Sequence, residues 1–214
     1  MDEIKVYISG EDAVTKAIIE RLLRFCSPRF QVTKEIPARG SEIKKKISAL
    51  NTLAQTQPVV MLTDLDTTDC APILKTSLLK GEPQSQNFII NIAIDESEAW
   101  LMADRNGFAK FLDVEEDTIP KACLQKMGGL KRIMEMSFHA KSSWVLTHEI
   151  ASQSRNEELK HQICAQGTAS KGPEYNDGIL PFVKTFWNIE EAMKNSDSLT
   201  RMVKRLKSLA ERMG

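Results

Sequence analysis

The chain has 214 residues with 29 basic and 29 acidic side chains, so its formal net charge is zero. That length suits one ordinary domain or a domain with an appendage, and 42% hydrophobic content suffices for a core. The balance excludes a chain-wide basic field of the kind that coats nucleic acid, although it leaves room for an enzyme with a local basic groove.

No run of about 18 apolar residues is present, so no membrane span and no membrane partner are expected. The start, with Asp2 and Glu3, is unlike a basic-then-apolar signal peptide, and the reading is a cytoplasmic protein. Cys26, Cys70, Cys123 and Cys164 are widely spaced without a CxxC pair and read as reduced thiols. His139, His148 and His161 show no HxxxH or HExxH spacing, so zinc held by cysteine or histidine is not expected.

In chain order, Ile4 to Ser9 is a short β-branched run ending at Gly10 and predicts a strand. Asp12 to Phe25 has helical apolar spacing, with Asp12 placed to cap it and Ser27-Pro28 to stop it. Gln31 to Ile36 predicts a second strand, and Ser41 to Ala54 a second amphipathic helix with Ile43, Ile47, Leu50 and Leu53 inward. Val59 to Leu62 and Phe88 to Ile94 are continuous apolar runs suited to strands buried on both faces of a parallel sheet. Pro72 to Leu79 and Glu96 to Ala103 read as helices, with Asp95 as a cap and Trp100 and Leu101 in the core.

Strands alternating with amphipathic helices predict an α/β fold with a mainly parallel sheet flanked by helices. From about Arg105 the strand signal fades. Helices are expected around Phe108, at Pro120 to Met136, Arg155 to Ala165, Gly178 to Trp187 and Ser198 to Met213, with a loop at Gly167 to Asp177. The organisation is therefore an α/β core over 1–104 and a mostly helical extension over 105–214.

Open parallel sheets place ligands at the carboxyl ends of their strands. Three strand ends carry acids: Glu11 after the first, Asp64 and Asp66 after the third, Glu96 and Glu98 after the fourth. Crowded carboxylates repel unless a cation lies among them, and hard oxygen ligands suit Mg²⁺ or Mn²⁺. Such ions assist phosphodiester cleavage. In the Asp-x-Asp pair, strand alternation lets both acids point one way while Leu65 turns inward. Each acid also has a structural reading: Asp64 and Asp66 as a turn, Glu11, Glu96 and Glu98 as helix-start charges. The last helix carries Arg201, Lys204, Arg205, Lys207 and Arg212 around an apolar seam; contact with phosphates is one reading, an amphipathic helix with a solvated basic face the stronger one.

The layout of Glu11 with Asp64 and Asp66 resembles a TOPRIM domain, the metal-binding module of type IA and II topoisomerases, bacterial primases and OLD-type nucleases. The stretch from Ile92 to Asp104, with its Glu-x-Glu-Ala-Trp, is similar to small stand-alone TOPRIM-like proteins often encoded beside ABC-type ATPases in bacterial antiphage loci. Ser170 to Asn176 and Ser198-Leu199 also resemble that group's C-terminal pattern.

The resemblance implies a TOPRIM/Rossmann-like fold and a Mg²⁺- or Mn²⁺-dependent nuclease acting on DNA or RNA. Glu11, Asp64, Asp66 and Glu96 or Glu98 would hold metal, with Glu11 ligating or activating water and Lys171 stabilising phosphate charge. It implies an antiphage effector controlled by an ABC-type or OLD-like ATPase; the chain has no GxxxxGK[ST] loop. Homo-oligomerisation stays open. The family usually shows Glu followed by Gly, whereas here Gly10 precedes Glu11. That departure favours the alternative, a non-catalytic binding or regulatory subunit of an ATPase complex.

Overall fold

The β-branched run Ile4–Ser9 forms strand β1, and helix α1 follows over Ala13–Cys26. Asp12 fixes the start of α1 by accepting from the Thr15 amide at 2.8 Å. Val14, Ala17, Ile18, Leu22 and Leu23 are buried along its inner stripe. At about 1.5–3 kcal/mol for each fully buried large aliphatic side chain, that stripe is what binds the helix to the sheet. Strand β2 is Phe30–Glu35, α2 Glu42–Lys45, α3 Ile47–Leu53, β3 Val59–Asp64, α4 Ala71–Leu79 and β4 Phe88–Ala93. The single helix expected over 41–54 is thus divided at Lys46, where ψ opens to −2°. These elements come from a computed structural model, which describes residues 2–37, 42–65, 71–126 and 132–214.

The four strands run parallel in the order β2-β1-β3-β4. The chain travels outward from β1 to β2, then returns past β1 to lay down β3 and β4. Direction therefore reverses between β1 and β3, and open α/β sheets offer ligands a crevice at the carboxyl ends of such a reversal. Edge strand β2 exposes Gln31, Lys34 and Glu35, polar cover that discourages further strand pairing. β3 and β4 are buried almost throughout, as strands covered on both faces must be. The α/β fold with a mainly parallel sheet is as the sequence predicts.

The chain forms two compact units, Met1–Ala93 with Thr200–Gly214, and Ile94–Leu199. The second contains α5 (Ser97–Met102), α6 (Arg105–Leu112), β5 (Ala122–Lys126), β6 (Arg132–Met136), α7 (Ser142–Val145), α8 (Glu157–Ile163), α9 (Tyr175–Pro181) and α10 (Ile189–Asn195). Two π-helical turns, Leu146–Ile150 and Phe182–Phe186, extend α7 and α9. Helix α11, Asp197–Arg212, begins in the second unit and runs on into the first. Trp100, Phe108, Phe182 and Trp187 form the aromatic core of the second unit, with Phe108 edge-on to Phe182 at 4.9 Å.

The helix expected at Pro120 to Met136 is an antiparallel hairpin, β5 paired with β6. Gly128-Gly129 between the two runs is a hairpin signal that the helical reading passed over; the pair itself lies outside the described residues. Among the described residues no helix is long and apolar enough to cross a membrane.

Candidate functional site

Within the sheet unit, Glu11 follows the end of β1 and Asp64 is the last residue of β3, so the two acids flank the reversal point. Glu11 Oε1 accepts from the Thr63 hydroxyl and from the Asp64 amide, the latter at 3.2 Å. These bonds fasten the loop after β1 to β3 and orient the carboxylate, while both acids stay partly exposed. The Leu65 amide continues the ladder by donating to Ala93 O at 3.0 Å, and Leu65 turns inward as expected. Asp66 lies outside the described residues.

The Gly10-Glu11 order has a local cause. A Cβ at Gly10 would lie 3.0 Å from the Lys16 amide nitrogen and 3.1 Å from Thr15 Cγ2, so glycine lets the strand end approach the first turn of α1. Ser9, fully buried at the end of β1, has a hydroxyl with no hydrogen-bond partner among the described residues. Glu11 and Asp64 are hard oxygen donors of the kind a hard divalent cation takes. Among the described residues no group of three or more His, Cys, Asp or Glu is assembled for a metal.

In the second unit the acids after β4 are already engaged. The cap of α5 expected at Asp95 is Glu96 instead, which has extended backbone and makes no side-chain cap bond to that helix. Asp95 precedes it in the left-handed region at φ 67°. Burial, then the Glu96 charge, push the Asp95 carboxyl up to about 6 against the hydrogen bonds of Ser142. Glu96 reaches across to the start of α7, where its Oε2 accepts from the Ser143 amide at 2.7 Å, and Lys141 lies 3.5 Å from its Oε1. A donor that α7 cannot satisfy internally is thereby paired.

Glu98 is buried, and its Oε1 accepts from Lys171 Nζ at 3.0 Å and from the Tyr175 hydroxyl at 2.8 Å. Burial alone would raise the pKa of this carboxyl, but the Lys171 charge and the two hydrogen bonds bring it below its ordinary value. The Lys171 ammonium also sits 4.2 Å from the centre of the Tyr175 ring. Lys171, read from sequence as a loop residue available to phosphate, is thus held by Glu98. Gly172 permits this, because a Cβ there would stand 2.2 Å from Gln162 O.

Trp100 Nε1 donates to Ser198 Oγ at 2.8 Å, and Ser198 N and Ser196 Oγ donate to buried Glu135 at 2.6 and 2.8 Å. The Glu98-Trp100 segment therefore touches both the Lys171-Tyr175 segment and Ser198 within this unit. Sequence reading missed Glu135, because its segment was taken for helix, and Thr63, which carries no signal beyond lying next to Asp64.

No curated protein and no solved structure matches the chain. A family model described as a domain of unknown function, DUF4276, matches residues 9–135, from the end of β1 to the buried Glu135. That segment is more than half of the 214 residues, and the chain belongs to the DUF4276 family.

Proposed function

We propose that the chain is a cytoplasmic nuclease of TOPRIM type that cleaves phosphodiester bonds in DNA or RNA with Mg²⁺ or Mn²⁺, as an antiphage effector under the control of an ATPase partner. The observation that carries this reading is the Glu11 carboxylate oriented by Thr63 and Asp64 at the carboxyl ends of β1 and β3, where the strand order reverses. Glu11 and Asp64, with Asp66 following, are the residues that would hold the cation. Bound there, it would supply Lewis acidity toward phosphodiester oxygens. Glu11, steered by two neutral donors, would either ligate the cation or accept the proton of an attacking water. Lys171 is left out of the chemistry because Glu98 holds it.

The test compares wild-type chain, Asp64→Asn and Glu11→Gln on DNA and RNA with Mn²⁺, alone and co-purified with the product of the adjacent gene. Wild type should cut and bind Mn²⁺ in a calorimetric titration. Asp64→Asn should lose about 100-fold or more in activity, since mutating even a supporting partner of a metal ligand costs roughly 10–100-fold. Equal residual cutting by all three proteins would overturn the reading.

A second reading, a non-catalytic regulatory subunit, is favoured by the internal engagement of Glu96 and Glu98, which gives those acids a structural purpose. It gains if the wild-type chain binds the ATPase but neither Mn²⁺ nor nucleic acid.

A further inference from the structure

Helix α11 carries Arg201, Lys204, Arg205, Lys207 and Arg212 from Thr200 onward against the single acid Glu211. Its apolar side is buried in Met202, Val203, Leu206 and Leu209, so the helix is fixed in place. Arg205 donates to Asn91 Oδ1 at 2.8 Å and to Ile90 O at 3.3 Å, and so covers the open edge of β4. Arg212 donates to Gln86 O at 2.8 Å in the segment before β4.

Between the helix and that segment lies an open cleft of about 670 Å³, walled by Lys204, Arg205, Ser208 and Arg212 on one side and by Gln84 to Gln86 on the other. Lys75 of α4 is close enough to Arg205 that burial first, and that charge second, lower its pKa. Among the described residues no carboxylate pairs with Lys75, Lys204, Arg205 or Arg212. A merely solvated basic face would let its long side chains disperse, whereas here two guanidiniums are tethered on one wall of a cleft that also offers neutral hydrogen-bonding groups.

We infer that this cleft binds the phosphodiester backbone of a nucleic acid, with Lys204 and Arg212 as the phosphate contacts and Arg205 holding the wall. The inference rests on the proposed nucleic-acid substrate and adds where the strand lies on the sheet unit. Recognition through phosphates alone predicts weak dependence on base sequence and strong dependence on salt.

The test measures binding of fluorescein-labelled single-stranded and duplex oligonucleotides to the full chain in EDTA, where metal-dependent cutting is silent. Inorganic tripolyphosphate serves as competitor. Lys204→Glu with Arg212→Glu should weaken oligonucleotide binding about tenfold or more and lower the log-log salt slope by roughly one per contact removed. Arg205 is left intact because it closes the sheet edge. Lys160→Glu with Lys184→Glu, reversals of equal charge in the second unit, should leave affinity within about twofold, since net charge alone acts weakly at a distance in salt.

Three results would each overturn the inference: no binding by wild type at low salt, equal loss in both double variants, or no displacement of the oligonucleotide by excess tripolyphosphate. Its failure is separable from that of the nuclease reading. Asp64→Asn should bind as wild type does; binding without cutting in any protein defeats only the nuclease, and undiminished cutting with unchanged KM in the Lys204→Glu, Arg212→Glu variant defeats only the cleft.

Discussion

Glu11 and Asp64 in the sheet unit and Glu96 and Glu98 in the second unit all lie at or within a few residues of the carboxyl end of a strand rich in buried apolar residues. Their surroundings differ in kind. Glu11 accepts from a hydroxyl and an amide, both neutral, and stays partly open to solvent. Glu98 is buried with a lysine ammonium and a phenol on one oxygen. A carboxylate already paired with an internal cation has little to gain from an external one, whereas one oriented by neutral donors keeps its charge available. Acids that follow strands are thus held by neutral donors in one place and locked to an internal cation in the other.

The sharpest way to break this comparison is Lys171→Met. If Glu98 is architectural, the variant strands a buried charge and should lose about 3 kcal/mol in urea unfolding, the lower end for a broken buried pair because Lys171 is itself partly exposed. The sign with pH follows from the lowered pKa of Glu98. Its contribution is present above the unfolded value and fades as pH falls through the folded one, so the gap to wild type should narrow at low pH. A variant as stable as wild type at pH 7 would remove the architectural role.

Gly172→Ala should cost about 2 kcal/mol, the range for forced overpacking, because its Cβ meets the Gln162 carbonyl, backbone that cannot swing aside. A melting temperature unchanged from wild type would show that the loop can retreat.

Asp95→Asn should act in the opposite direction. The folded carboxyl titrates near 6, well above its unfolded value, so stability is full at low pH and falls as pH rises between about 4 and 6. Asparagine carries no charge and tolerates positive φ, so the variant should gain up to about 2 kcal/mol at pH 7 and flatten that slope. A pH profile parallel to that of wild type would assign the titration elsewhere.

The smallest expected effect is Lys141→Ala. Lys141 is mostly exposed beside Glu96, and such pairs contribute about 0.2–1 kcal/mol. A larger loss would mean that Glu96 depends on the lysine more than on the Ser143 amide.

The alternating elements as far as Met102 were legible because each carries its own period: β-branched runs for β1, β3 and β4, and an apolar stripe with a capping Asp12 for α1. The second unit was harder. β5 and β6 exist through their pairing with each other, and a run with a buried Glu135 offers no clean alternation. The cap position falls on Glu96 rather than Asp95 because either acid suits a helix start, and only the left-handed backbone at Asp95 decides between them. Lys171 looked like a loop lysine because its partner lies 73 residues earlier in the chain.

By itself the sequence determined that acids follow the strands of a parallel sheet, since period and residue type are local properties of the chain. The tertiary structure alone decided which acids remain available, because that depends on donors brought from distant segments: Thr63 across to Glu11, Lys171 and Tyr175 onto Glu98, Ser143 onto Glu96. The free energy of a carboxylate is set by the charges and dipoles within a few ångströms, and those neighbours are chosen by folding rather than by sequence adjacency.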